Sequence, residues 1–554
     1  MSRAVAAEAL SSLARIARRY EPGLGARKLA LLRRLSTAKF ATPKQLLRFH
    51  ELLCFLDAYP DDSRVRAIVR RLLRAFRQRQ DLRRHRAALA GSGMAGTDTP
   101  YRFFWPTARW ISTRWPGALV IDREGADHVR AILDTLPQLL EPVPAELLRR
   151  RQSPTPEILD RLRPQGMTDA DYLISLVSAM PGDDAAREAL FDRVDPPFLL
   201  RAGKDTPERT TARFDRLPLH YRQEALRGPR PQLATEARRR PQRVVSLRAA
   251  DAHALIGLAR ISMATRERDL AVFQFANPSD AFLVDDGRGL GFAFVGMQPE
   301  RRALLPAIYG GLTLQNGVPT GYVQVDILGR HAELSFNTFE SFRGADAAHV
   351  FARLIAVVHH VFRCDSFSIE PYQLGIDNEE GIESGAWWFY YRFGFRPRDV
   401  ATRRIARREL QRVTRNRSYR SSPRTLRLLA RTHLFYSLAP GRAAVLPRVP
   451  ALFAAGAAEL VRFRQYRADD RRVAATAAAK RQLRVSSRWR ARPAVKRMFE
   501  SWAPLVLALM RRSGWRSTER RQLLLLIESK AGANEREYLK RLLRHRRLRR
   551  VLDC

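Results

Sequence analysis

The chain has little cysteine and no long apolar segment, and these two features exclude several classes of protein. Its three cysteines, Cys54, Cys364 and Cys554, are far apart among 554 residues and form no CxxC pair. They are too few for a disulfide framework or a structural zinc site. No segment approaches the roughly 20 apolar residues that span a bilayer, and the N-terminus lacks the apolar run of a secretory signal. We therefore expect a soluble, cytoplasmic protein.

Several motifs that would identify a catalytic or cofactor site are also missing. The sequence has no HExxH, no GxxxxGK[ST] and no serine nucleophile elbow. The histidines of segment 349–360 are spaced so that they cannot chelate one ion from a single helix, and we expect no metal. Gly91–Gly96 matches GxGxxG, but a basic helix precedes it and Asp98-Thr99-Pro100 follows, so a flexible hinge is the better interpretation.

Positive charge is in large excess and is unevenly distributed. The chain carries 99 basic and 56 acidic residues, and only eight of the basic residues are lysine. Residues 251–400 hold 13 basic and 18 acidic residues, whereas residues 401–554 hold 40 and 10. A slightly acidic centre between basic regions indicates that these parts have different surroundings. The basic regions predict binding to a polyanion, either nucleic acid or an anionic membrane surface.

Composition and breaker residues divide the chain into four regions. Residues 1–90 are predicted to be a basic helical region in which Asp62 or Ser63 caps a helix. Residues 91–245 are predicted to be mixed and mostly helical, with a Pro/Arg-rich linker near 229–241 that begins at Pro229. Residues 250–400 are predicted to be a compact domain, and residues 401–554 a strongly basic helical region.

The central region has strand and helix patterns in alternation. Apolar segments predict strands at 271–275, 281–297, 332–339 and 367–369, and helices at 345–362 and 382–393. Asn316-Gly317 predicts a hairpin between strands 308–315 and 318–328, because this pair tolerates the positive φ angles of a two-residue turn. The fold class expected is therefore α/β (α+β), with a mixed, mainly antiparallel sheet that helix 345–362 crosses, flanked by mostly helical N- and C-terminal regions.

The segment from strand 332–339 to Phe395 resembles the GNAT superfamily of N-acyltransferases. In that family a strand leads to a loop of pattern [RQ]xxGx[GA], which opens a helix, and a second strand, an Asn, a helix and a YxxxGF ending follow. Here the loop is matched by Arg343-Gly344-Ala345-Asp346-Ala347-Ala348, with Asp346 at the fourth-position glycine. The Asn is matched by Asn378, and the ending by Tyr390 with Gly394-Phe395.

This resemblance implies a transferase that moves an acyl group from acyl-CoA, such as acetyl-CoA, to an amine. It places the CoA pyrophosphate on loop 343–348 and at the following helix N-terminus, beside Asn378. It makes Tyr390 the phenol that protonates the leaving CoA thiolate. Glu340 and Glu333 are the carboxylates available as a base, and their opposite parity on one strand lets only one face the cleft. The alternative is a non-catalytic interaction or polyanion-binding protein that reuses the fold.

Overall fold

The computed structural model describes residues 3–124, 126–150, 157–226, 230–344, 346–416, 418–439, 441, 443–511 and 514–553. Ala345 of the predicted loop and Pro229 of the predicted linker lie outside the described residues. Within the described part, the chain is a mixed α/β protein with a nine-stranded mixed sheet, a three-stranded sheet and many helices. No helix of this part combines the length and hydropathy that a membrane span needs.

The first 90 residues form five α-helices that pack on one another through apolar faces. Asp62 caps the fourth helix, since its carboxylate accepts hydrogen bonds from the N–H groups of Arg64 and Val65 at 2.8 Å. This cap was one of the two residues predicted from the sequence. The helices are α1 (Arg3–Ile16), α2 (Leu24–Ser36), α3 (Pro43–Ala58), α4 (Ser63–Arg74) and α5 (Gln80–His85).

The next region has a core of its own, built around a small antiparallel sheet that the sequence did not reveal. Its strands are β1 (Thr99–Tyr101), β2 (Leu119–Ile121) and β3 (Phe198–Leu200), in the order β1-β3-β2. Aromatic side chains such as Trp105 and Phe191 fill this core. The helices are α6 (Trp105–Arg114), α7 (Ala126–Thr135), α8 (Pro142–Arg149), α9 (Glu157–Leu162), α10 (Asp169–Ala179), α11 (Asp184–Val194) and α12 (Leu233–Glu236).

The large sheet is antiparallel except at one pair of strands, β9 and β10, which are parallel. The predicted hairpin is confirmed, with Asn316 at φ 50° and Gly317 at φ 81° in its two-residue turn. The strand order is β11-β12-β10-β9-β8-β7-β6-β5-β4. The strands are β4 (Arg243–Ser246), β5 (Ala276–Gly287), β6 (Leu290–Met297), β7 (Ala307–Gln315), β8 (Val318–Leu328), β9 (His331–Thr338), β10 (Ser366–Ile369), β11 (Arg396–Pro397) and β12 (Leu434–Ser437).

Helices cover both faces of this sheet. The helix predicted at 345–362 is α15, and its buried Phe351 and Leu354 belong to the core on one face. Helix α13 and the N-terminal helices form the core on the other face. The helices of this region are α13 (Ala249–Ala264), α14 (Ala271–Gln274), α15 (Ala347–Phe362), α16 (Pro371–Leu374), α17 (Glu379–Glu383) and α18 (Ala386–Arg392).

Two of the predicted elements differ from the structure. The strand predicted at 271–275 is helix α14, because a short apolar segment does not by itself distinguish a strand from one buried helical turn. The helix predicted at 382–393 is two helices, α17 and α18, which are separated at Gly385 with φ 66°. Glycine adopts this left-handed conformation without steric cost, because it has no Cβ.

The C-terminal region is mainly helical, but it also contributes a strand to the central sheet. Strand β12 lies between β10 and β11, and strand β4 at the other edge also lies outside residues 250–400. The boundary predicted at residue 400 therefore does not coincide with the edge of the sheet, because surface charge does not report which segments share a core. The helices are α19 (Val400–Arg415), α20 (Pro423–Leu429), α21 (Val449–Val461), α22 (Ala468–Leu483), α23 (Pro493–Met510), α24 (Ser517–Lys530), α25 (Glu535–Arg544) and α26 (Arg546–Leu552).

Candidate functional site

Strands β9 and β10 pair over only three residues and then separate. Residues 331–333 of β9 lie opposite residues 366–368 of β10. Strand β9 continues to Thr338, and none of the described strands pairs with its residues 334–338 on the β10 side. Strand β10 instead ends at Ile369, and the chain turns into α16. This unpaired edge of β9 therefore offers backbone N–H and C=O groups to an extended ligand.

A cavity of about 430 Å³ fills the space beside this separation, and we call it the gap cavity. Its walls come from the end of β9, the start of α15 and the helices α17 and α18. Most of the residues that the sequence assigned to acyl-CoA line it. The lining residues are Phe336, Asn337, Thr338, Arg343, Gly344, Ala347, Gln373, Asn378, Glu380, Gly381, Glu383, Ser384, Ala386, Phe389 and Tyr390.

Tyr390 lies at the inner wall of the gap cavity with 2 % of its surface exposed. Its O–H donates to the backbone carbonyl of Phe336 on β9 at 3.5 Å, and its ring packs edge-on against Phe351 of α15 at 5.3 Å. Burial raises the pKa of Tyr390, so the phenol keeps its proton at neutral pH. The position suits a group that donates a proton to a buried anion.

The predicted phosphate loop connects β9 to α15 and separates two cavities. Gly344, at φ 71°, lines both of them, whereas Ala347 lines the gap cavity and Ala348 the other. Asp346 precedes α15 but does not cap it, and no side chain of the described residues does so. Its carboxylate instead pairs with Arg222 at 2.6 Å, which compensates its negative charge.

The second cavity, which we call the loop cavity, has a volume of about 990 Å³. It lies on the other side of the loop and is rich in arginine. Asp346, Asp286 and Glu224 are the carboxylates in its wall. The arginines in the wall are Arg222, Arg230, Arg239, Arg288 and Arg392. The cavity therefore has two positive charges in excess beside the N-terminus of α15, a combination that favours phosphate groups.

Asn378 holds the turn between α16 and α17 and lines the gap cavity. Its side chain accepts a hydrogen bond from the N–H of Gly381 at 3.2 Å and donates one to the carbonyl of Tyr372 at 3.0 Å. It therefore acts as the N-cap of α17. In this structure the predicted cofactor contact is a residue that shapes the cavity wall.

Neither of the predicted base carboxylates lines the gap cavity. Glu333 lies in the paired part of β9, where His433 contacts its carboxylate at 3.2 Å and Ser368 donates to it at 3.0 Å. Burial opposes ionisation, but these hydrogen bonds hold the pKa of Glu333 below its usual value. Glu340 was expected on the strand, yet β9 ends at Thr338, and the exposed Glu340 opens a 3₁₀ turn whose other residues, Ser341 and Phe342, are buried.

A third cavity, of about 690 Å³, lies on the α13 face of the sheet, and we call it the α13 cavity. Glu340 lines it. Arg343 and Glu380 line both this cavity and the gap cavity, so their ion pair forms part of the wall between the two. Arg268 also binds Glu380, at 2.7 Å. The wall therefore contains charged side chains that pair with one another.

Sequence reasoning missed Glu380 and the loop that begins at Gly91. Glu380 follows the predicted Asn378, but its two arginine partners are distant in sequence. Gly91 and Ser92 belong to the predicted flexible hinge, yet they line the α13 cavity. A side chain at Gly93 would meet the backbone carbonyl of Thr265 at 2.0 Å, so the loop is packed against α13. Only the tertiary fold reveals these roles.

The site residues of the described chain include no group of three or more His, Cys, Asp or Glu side chains arranged to hold a metal ion. Comparison with protein-family models, with curated proteins and with solved structures found no match to this chain. Its interpretation therefore rests on the geometry of the three cavities and of the residues that line them.

Proposed function

We propose that this protein is a GNAT-like N-acyltransferase that moves an acyl group from acyl-CoA to an amine. The observation that carries the proposal is the separation of β9 from β10 next to the loop at 343–348. In support, five residues that the resemblance assigns to acyl-CoA or to catalysis line the gap cavity, namely Arg343, Gly344, Ala347, Asn378 and Tyr390, whereas Asp346 and Ala348 line the loop cavity instead.

The two cavities on either side of the loop match the two ends of an acyl-CoA molecule. The gap cavity is the smaller of the two, is lined by Phe336 and Phe389, and borders the unpaired edge of β9, as an amide-containing pantetheine arm requires. The loop cavity is larger and rich in arginine, as the phosphate groups of the nucleotide end require. Gly344 lines both cavities and adds no side chain to either, so one extended ligand can pass over the loop there, beside the guanidinium of Arg18, which donates to the carbonyl of Arg343 at 2.9 Å.

The reaction that fits is direct attack of a neutral amine on the thioester carbonyl. A C–N bond forms and the C–S bond breaks, so the amine loses a proton and the sulfur gains one. Glu340, in the wall of the α13 cavity, takes the amine proton directly or through water. Tyr390, in the wall of the gap cavity, gives its proton to the CoA thiolate. The amine therefore approaches from the α13 cavity, across the Arg343–Glu380 wall.

Binding of acetyl-CoA to the full-length protein, measured by calorimetry, tests this proposal. Ser384 is exposed at the rim of the gap cavity, so Ser384→Trp can fill the cavity without a change to the core. We expect wild-type protein to bind acetyl-CoA and Ser384→Trp to bind at least tenfold more weakly. Ser487→Trp, at an exposed site outside all three cavities, is the matched control. Wild-type protein without affinity for acetyl-CoA would refute the proposal.

A second function, binding to a polyanion, is favoured by the surface of α19. Four arginines, which we call the α19 arginines, are exposed in two adjacent pairs one turn apart: Arg403, Arg404, Arg407 and Arg408. A helix face of this kind can follow a row of phosphates on nucleic acid or on an anionic membrane. This function is compatible with acyl transfer, since α19 begins after β11 and is separate from the residues that line the three cavities.

A further inference from the structure

The α13 cavity is rich in arginine, although half of its arginines already have carboxylate partners. Six arginines and four glutamates line it. Arg209 pairs with Glu51, while Arg268 and Arg343 share Glu380. These pairs fix the walls and leave little charge for a ligand. Of the other three arginines, Arg48 is exposed, Arg18 donates to the backbone carbonyls of Ser341 and Arg343, and Arg266 is the third.

Arg266 is partly buried, and none of the described carboxylates lies within 4.0 Å of its guanidinium group. The central carbon of the guanidinium lies over the ring of Phe339, 3.8 Å from the ring centroid. It donates one hydrogen bond, of 2.9 Å, to the carbonyl of Ser262. Burial, together with repulsion from Arg209, lowers the pKa of Arg266 to about 9.

An arginine held in this way is costly to the fold, because a buried charge without a partner loses its hydration. The ring contact and the single hydrogen bond hold the guanidinium in place and leave most of its donors free for a ligand. Planar, preoriented donors of this kind bind carboxylate or phosphate through two parallel hydrogen bonds. None of the described carboxylates pairs with Arg266, so its guanidinium can bind the oxyanion of a ligand.

We propose that the α13 cavity binds the acyl acceptor, and that the acceptor is a small amine with a carboxylate or phosphate group that pairs with Arg266. This inference rests on the proposed acyltransferase function for the reaction, although not for the anion site itself. The volume of about 690 Å³ is typical of a small-molecule site. With its anion on Arg266, such a molecule can direct its amine towards Glu340 and the wall shared with the gap cavity.

The test uses full-length protein and two separate readouts. The first is release of CoA thiol from acetyl-CoA with three sets of amines: amino acids, phosphoethanolamine, and the uncharged or cationic amines ethanolamine and spermidine. The second is calorimetric binding of the same amines without acetyl-CoA. We expect turnover and binding with amines of one of the first two sets, and the set that works identifies the oxyanion.

Arg266→Met keeps a long apolar side chain beside Phe339 but removes the guanidinium and its charge. We expect it to raise KM for the anionic amine at least 30-fold and to leave the affinity for acetyl-CoA within twofold. We also expect its Tm to rise, since an uncompensated charge has been removed. Arg266→Lys should recover part of the amine affinity. Arg33→Met, at an exposed position on α2 outside the cavity, is the matched control. It should leave the KM for the anionic amine and the affinity for acetyl-CoA unchanged.

Two outcomes separate this inference from the proposed function. If acetyl-CoA binds but only ethanolamine or spermidine is acylated, or Arg266→Met leaves KM unchanged, the inference is wrong and the acyltransferase proposal stands. If acetyl-CoA does not bind but an anionic amine binds in a manner that depends on Arg266, the proposed acyl transfer is wrong and the proposed anion site at Arg266 is supported. Failure of both binding measurements would overturn both.

Discussion

A buried group of charges lies between the C-terminal helices and the central sheet, and we expect the removal of one of these charges to destabilise the protein. Lys530, at the end of α24, is fully buried, and its ammonium group donates to Glu535 and to the carbonyl of Pro306 at 2.7 Å. The backbone N–H of Glu535 donates to Asp280 on β5 at 2.9 Å. Arg302 donates to the carbonyls of Lys530 and Gly532 at 2.6 and 2.7 Å.

Glu535→Gln keeps the shape of this group but removes one negative charge, so Lys530 and Arg302 are left with Asp280 as the nearby carboxylate. Removal of one partner from a buried ion pair costs about 3–5 kcal/mol. Whole domains are stable by only about 5–15 kcal/mol. The loss should therefore be large enough to detach the C-terminal helices at a lower concentration of urea than in the wild-type protein.

Urea titration followed by tryptophan fluorescence measures this effect, because Trp502 and Trp515 are buried among the C-terminal helices. We expect the double variant Lys530→Met/Glu535→Leu to recover most of the loss, since it removes both charges and fills the space with apolar groups. Glu537→Gln, at the next exposed acidic position on α25, is the control. A loss below about 1 kcal/mol for Glu535→Gln, or a double variant no better than the single one, would refute the reasoning.

Four further predictions concern the chemistry and the surface. Asp346→Gly should tighten acetyl-CoA binding about 3- to 10-fold in calorimetry, because it removes a negative charge beside the phosphates and releases Arg222; weaker binding would contradict this. Tyr390→Phe should slow acyl transfer about 10- to 100-fold while the Kd for acetyl-CoA stays within twofold, and an unchanged rate would exclude its role as the acid. Replacement of all four α19 arginines by Gln should weaken binding to duplex DNA or anionic vesicles and reduce the salt dependence on DNA by about 3 in the logarithmic slope; an unchanged slope would show that they make no phosphate contacts. Burial raises the pKa of Asp280 to about 6, so the folded state holds its proton more tightly and this carboxyl contributes less stability as pH rises from about 4 to 6. The stability lost in Asp280→Asn should accordingly be smaller at pH 8 than at pH 5, and an equal loss would contradict the shift.

Local signals predicted much of the central fold. Asn316-Gly317 fixed the hairpin because both residues take positive φ angles, and the apolar pattern of 345–362 gave α15 to within two residues at its start. The prediction of a strand at 271–275 was wrong, because four apolar or aromatic residues fit a strand and a helical turn equally well. Strand β12 was missed, since a four-residue strand in a basic region has no pattern of its own.

The site residues that belong to a local sequence motif were predicted, whereas those brought together only by tertiary contacts were missed. Tyr390, Arg343 and Gly344 lie at the gap cavity, as expected from their motif. Asp346 pairs with Arg222, and Arg266 lies over the ring of Phe339. The two residues of each contact are about 70 to 125 positions apart in the sequence. No spacing rule connects such positions, so the roles of these arginines follow only from the fold.

Hydrogen exchange of the full-length protein with and without CoA tests the central claim most directly. If the pantetheine arm lies along the open edge of β9 and the phosphates at the start of α15, CoA should slow exchange in residues 334–338 and 347–350. Peptides from α2, which contributes to none of the three cavities, should be unaffected. Protection of both segments is the result that the acyltransferase account predicts. CoA at saturating concentration with no protection of residues 334–338 would contradict it.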